Sequence, residues 1–206
     1  MSTRVIRTWQ AIPGSEVKLR DALVDLMRKI EAKPGIVEAC LFEDLAVRGS
    51  FAGIGLFESE EAMLYAGPQA YLAGLSGVDT AYATAPSTLY RIKTLKEFRH
   101  PKGKPERVQM TQFRVIPEQV ETFPQVFQDY FQDFAEAWDV SALIFGQVHQ
   151  TPTMFFFISE WGATEEYFQY LASDFRHTRG RTRYGQMLEE EPRRFELSPL
   201  WEYRRP

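Results

Sequence analysis

The chain is predicted to be α+β, with one strand–helix–strand–strand–helix–strand unit used twice. Three observations predict this. The stretch Phe155 to His177, FFFISEWGATEEYFQYLASDFRH, passes from an apolar strand through Trp161-Gly162 into a helix with Tyr167, Phe168, Tyr170 and Leu171 on one side. A weaker copy, FAGIGLFESEEAMLYAGPQAY, runs from Phe51 to Tyr71. The two halves align without a gap at a constant offset of 104 positions, from Ile12 with Ile116 to Glu61 with Glu165.

Each element follows in order. Arg4 to Ile12 reads as a strand closed by Pro13-Gly14, and Ser15 is a good helix N-cap. Leu19, Ala22, Leu23, Leu26, Met27 and Ile30 repeat at helical spacing until Pro34-Gly35. Strands are expected at Ile36–Phe42 and Phe51–Phe57, around a turn from Glu43 to Ser50. A second helix spans Glu60 to about Ala73, broken by Gly67-Pro68. A Gly- and Ala-rich loop then leads to a strand at Ser87–Leu95, and Lys96–Glu106, basic and rich in Pro and Gly, reads as a linker.

The second half repeats the plan. The first helix face maps onto Phe123, Val126, Phe127, Tyr130, Phe131 and Phe134, apolar for apolar, and helical spacing marks these rings as core. Trp9 pairs with Phe113 and Phe57 with Trp161. The order of elements is the ferredoxin-like plan. Met154 to Ile158 is apolar on both faces, so both should be covered. The expectation is two tandem ferredoxin-like repeats, 1–98 and 107–206 around a linker at 99–106, packed as an intramolecular dimeric α+β barrel. That makes an internal pseudo-dimer, with further homo-oligomerisation left open.

Composition bounds the function. Of 206 residues, 44% are hydrophobic, enough for a normal core. The net charge of −4 carries no block of like charge, so no nucleic-acid footprint is expected. There is no signal-peptide pattern and no run long enough to span a bilayer. Cys40 is the single cysteine, and a reduced cytoplasmic setting is the simplest reading. Three scattered histidines give no metal-ligand spacing, and no Walker-type loop or GxGxxG is present.

The run FFFISEWGATEEYFQYLASDF resembles the segment joining the third strand to the second helix in antibiotic-biosynthesis-monooxygenase-type domains. Glu160-Trp161 and Tyr170-Leu171-Ala172-Ser173-Asp174-Phe175 occupy the motif places. The resemblance implies a tandem member of the dimeric α+β-barrel superfamily, whose members include cofactor-independent monooxygenases on quinol-like aromatics and haem-degrading enzymes. The family's helix histidine is Tyr170 here, and the chain has no asparagine, so the haem-degrading triad is incomplete. The implied function is a cofactor-independent, monooxygenase-like protein acting on or binding a small aromatic molecule. The alternatives are a non-catalytic ligand-binding or assembly barrel, and haem binding without degradation.

Candidate site residues follow from the chemistry such a reaction needs. His177 or Tyr170 would assist proton removal. Trp161 would stack on an aromatic ligand, or else fill the core between strand and helix. Arg179 and Arg183 would hold an anionic oxygen, or else form a solvated helix end. Gly53 and Gly55 stand where the second half has Phe157 and Ser159. They either open a pocket or let the first half's second helix pack closer. His149 in a hairpin and His100 in the linker are not expected to act.

Overall fold

A computed structural model describes residues 2–31, 33–66, 71–100, 104–175 and 183–205. These form two compact units. The first comprises residues 1–92 and 197–206, the second residues 93–196. Unit membership therefore departs from the contiguous halves 1–98 and 107–206. The end of the chain belongs to the first unit, and the residues after Ile92 to the second.

In the first unit, β1 (Thr3–Gln10) is followed by α1 (Glu16–Glu31), β2 (Ile36–Asp44) and β3 (Ser50–Phe57). Next come α2 (Glu60–Ala66), α3 (Tyr71–Tyr82) and the start of β4 (Thr88–Arg99). The sheet order is β4-β1-β3-β2, completed by β8 (Arg193–Arg204), and each of these pairs is antiparallel. Leu19, Leu23, Leu26, Met27 and Ile30 of α1 pack on Val5, Trp9, Phe51 and Phe57 of the sheet. The turn into β2 needs Gly35, whose φ of 81° disfavours a side chain and whose Cβ would collide with Ala62.

The second unit contains β5 (Arg107–Arg114), α4 (Phe123–Ala137), β6 (Val140–Val148), β7 (Met154–Trp161) and α5 (Thr164–Ala172). Its strand order is β8-β5-β7-β6-β4. Every residue of β7 is buried, as its two-sided apolar pattern requires. The core is a field of rings, with Phe127 stacked on Phe145 at 4.3 Å and Phe123 against Phe155 at 4.9 Å.

The pairing registers repeat at the offset read from the sequence. Thr3 faces Phe57 as Arg107 faces Trp161, and Trp9 faces Phe51 as Phe113 faces Phe155. Even the irregularity recurs, between Ile36 and Glu38 in β2 and between Val140 and Ala142 in β6.

Three expectations need correction. Residues up to Tyr82, read as loop beyond Ala73, are helical in α3 because alanine and leucine outweigh scattered glycines. β4 runs to Arg99, so the linker does not begin at Lys96. Phe168 is 55% exposed, because at 100° per residue it turns away from the face shared by Tyr167 and Tyr170.

Candidate functional site

Trp161 ends β7 and is fully buried. Its indole Nε1 donates to Ser159 Oγ at 3.0 Å, two residues back on the same strand face. Against it lies Tyr170 of α5, stacked with centroids 5.2 Å apart and planes 28° from parallel. Trp138, at the end of α4, meets Tyr170 edge to face at 5.6 Å and Trp161 at 6.1 Å, so the three rings form a triangle.

From Tyr170 a line of phenols runs through the core. The three phenols are close enough to influence one another electrostatically. The Tyr130 and Tyr184 rings meet edge to face at 5.4 Å. All three tyrosines are buried. Burial first, and then the neighbouring Tyr170, push the Tyr130 and Tyr184 hydroxyls above the usual phenol range, while Arg194 pulls the other way. At neutral pH both phenols therefore stay protonated and act as hydrogen-bond donors.

Tyr184 also faces outward. It lines a cleft of about 210 Å³ with Gly185, Leu188, Glu190, Glu191, Pro192 and Arg194. Glu190 is paired with Arg114 at 3.3 Å. Both glutamates are exposed, whereas Arg194 is half-buried beside Tyr184. The cleft thus offers a guanidinium and a phenol on one wall, with Leu188 and Pro192 as apolar surface.

The first unit builds a different centre at the corresponding depth. Arg7 and Trp9 project from the helix-facing side of β1, where Arg7 faces Gly53. Arg7 Nε donates to Ser87 Oγ at 2.6 Å. Asp79 of α3 accepts from Trp9 Nε1 at 3.0 Å, from the Ser87 amide at 3.0 Å and from Ser87 Oγ at 2.7 Å. A Cβ on Gly53 would lie 3.0 Å from Trp9 Cη2, and one on Gly55 would lie 3.2 Å from Val5 Cγ2. The first atoms that a Cβ at either glycine would meet belong to Trp9 and Val5 of β1. What remains is a cavity of about 20 Å³ beside Arg7, space for a single water.

Of the residues singled out in the sequence, Trp161 and Tyr170 are in contact. Arg183 is held by Asp133 of α4 at 3.0 Å and does not line the cleft. His177 and Arg179 lie outside the described residues. His149 is exposed in the β6–β7 hairpin, and His100 is exposed with its ring edge-on to Phe98. Among the described residues no cluster of His, Cys, Asp or Glu could hold a metal ion, and no helix is long and apolar enough to cross a membrane.

No family model matches the sequence, and no curated protein matches it. Solved structures do. A candidate monooxygenase of Fusobacterium nucleatum superposes with a TM-score of 0.81 at 11% identity, covering 99% of this chain and 94% of that one. An anthrone oxidase-like protein gives 0.78 at 11% identity, covering 98% and 93%. An uncharacterized ferredoxin-fold protein of Listeria monocytogenes, related to antibiotic biosynthesis monooxygenases, gives 0.55 at 13%, covering 98% and 96%. The chain shares the ferredoxin-like fold of these structures. At these identities the likeness concerns fold, and activity must be argued from this chain's own side chains.

Within this fold, sequence reasoning missed Arg194, Tyr184, Arg7 and Asp79. Arg7 had a signal: it interrupts the apolar alternation Val5–Trp9 on the buried face of β1. Arg194 had none, since arginines at 176, 179, 181, 183, 193 and 194 look alike in the sequence.

Proposed function

We propose that the protein is a monooxygenase-like binder of a small aromatic molecule bearing an anionic oxygen, a phenolate or aromatic carboxylate, held in the Tyr184–Arg194 cleft. One observation carries this reading: a half-buried guanidinium beside a buried, protonated phenol on the wall of a one-ring-sized cleft. A guanidinium supplies charge, and a phenol supplies a directed O–H; together they select an oxygen anion.

Trp161 supports Tyr170 from beneath and does not touch the ligand in this reading. Stabilising a bound phenolate also suits oxygenation without a resident cofactor, in which the substrate anion gives up an electron to dioxygen.

Calorimetric titration with salicylate, 4-hydroxybenzoate and hydroquinone, against benzyl alcohol as the neutral control, tests the reading. Arg194→Gln and Tyr184→Phe should each weaken binding of the two acids by about 10- to 100-fold, the value of a hydrogen bond to a charged group. Equal affinity for the acids in both variants would sink the proposal. Oxygen uptake by the hydroquinone-loaded protein then separates an oxygenase from a non-catalytic binder.

A further inference from the structure

Glu190 and Glu191 line the same cleft as Tyr184 and Arg194, and neither has a part in holding an anion. Arg194 is half-buried, yet among the described residues it is ion-paired with neither glutamate. Glu190 turns instead to Arg114, at 3.3 Å. Opposite charges that border one cleft without meeting leave it with a positive end and a negative end. The fold does not require these charges. The Ile12 amide bonds to the Tyr82 carbonyl in the first unit as the Ile116 amide bonds to the Met187 carbonyl in the second, and Ala11 bridges Ala83 as Val115 bridges Leu188. Counting on from these matched contacts, Ala85, Pro86 and Leu89 stand where the second unit has Glu190, Glu191 and Arg194. The same corner is thus built once with no charge at these places.

We infer that the cleft selects an aromatic zwitterion, a single ring whose anionic oxygen goes to Arg194 and Tyr184 and whose protonated amine goes to Glu190 and Glu191. The inference rests on the proposed anion site and names the substrate class within it. Leu188 and Pro192 give the ring its apolar surface.

Charge balance favours such a ligand. Arg194 and Arg114 together offset Glu190 and Glu191, so the cleft with its rim pair is neutral. A plain aromatic acid brings a negative charge close to two carboxylates. A zwitterion brings no net charge, and its ammonium turns that repulsion into attraction. The pairing of Glu190 with Arg114 is no obstacle, because a carboxylate has two oxygens and accepts from several donors at once. Both glutamates are exposed, so solvent screens them and the discrimination they give is modest.

Calorimetric titration of the intact chain at low ionic strength compares three rings of matched size: 4-(aminomethyl)benzoate, 4-methylbenzoate and 4-methylbenzylamine. The zwitterion should bind about fivefold more tightly than 4-methylbenzoate, the upper range for an exposed charge pair. That advantage should disappear in the double variant Glu190→Gln, Glu191→Gln and shrink in about 1 M salt, where charges are screened within a few ångströms. Arg194→Gln should weaken both benzoates. Equal binding of the two benzoates, or an advantage that survives in the double variant, overturns the inference and leaves the anion site standing. An amine that binds as tightly as the zwitterion overturns it as well, because the carboxylates alone would then hold the ligand. If neither benzoate binds, the anion site fails and the inference fails with it.

Discussion

The buried rings of Tyr184 and Tyr130 meet edge to face, with centroids 5.4 Å apart. This contact joins a surface cleft to the aromatic core of the second unit. It also sets a measurable alkaline behaviour.

Burial raises both phenols above their unfolded value. The folded state then holds protons that the unfolded state releases, so the stability they contribute is intact below about pH 10 and declines as pH rises further. Ultraviolet titration should show these two tyrosines ionising only with unfolding. Tyr184→Phe should remove one such late-titrating phenol. Ionisation of every tyrosine near pH 10 in the folded protein would contradict the buried chain.

Glu106 caps the start of α5. Its carboxylate accepts from the Thr164 hydroxyl at 2.8 Å and the Thr164 amide at 3.0 Å, which lowers its pKa below the usual carboxylate value of 4.5. For a lowered pKa the stabilisation is present above the unfolded value and is lost as pH falls through the folded one. Wild type should therefore melt above Glu106→Gln at neutral pH, and the two curves should converge in acid. A gap independent of pH would assign the effect to something other than the carboxylate.

Gly53 and Gly162 make a matched pair. A Cβ at Gly53 meets the Trp9 ring at 3.0 Å, whereas one at Gly162 meets nothing within 4 Å. Gly53→Ala should cost about 1–3 kcal/mol through overpacking. Gly162→Ala should be neutral or stabilising by up to about 1 kcal/mol, through reduced freedom of the unfolded chain. Chemical denaturation measures both, and equal effects would mean that Trp9 can move aside.

Asp79 ties α3 to β1 and to the residue preceding β4, accepting three hydrogen bonds from Trp9 and Ser87. Asp79→Ala strands buried donors and should cost about 3 kcal/mol or more. Asp79→Asn keeps the shape and should cost less. A loss below 1 kcal/mol for the alanine variant would show that water replaces the carboxylate.

Much of the architecture was legible because it is written in local periodicity. The buried face of α1, the wholly buried β7 and the offset of 104 positions all come from spacing along the chain. Helix and strand limits were less legible where composition misled, as in the Gly- and Ala-rich run that forms α3. The site was legible only in its anchors. Trp161 and Tyr170 stand out in one continuous stretch, and their stacking is a contact between a strand end and the helix that follows it.

The sequence by itself determined the two α+β units, their matched registers and which faces they bury, because a 2.0 or 3.6 repeat dictates burial without knowledge of distant neighbours. The tertiary structure alone decided that Arg194 lines the cleft with Tyr184 while Arg183 goes to Asp133, and that Trp9 fills the space beside Gly53. Those choices depend on the path of the chain between residues far apart in sequence. Identical arginines become different in function only when folding gives one a carboxylate and another a cleft.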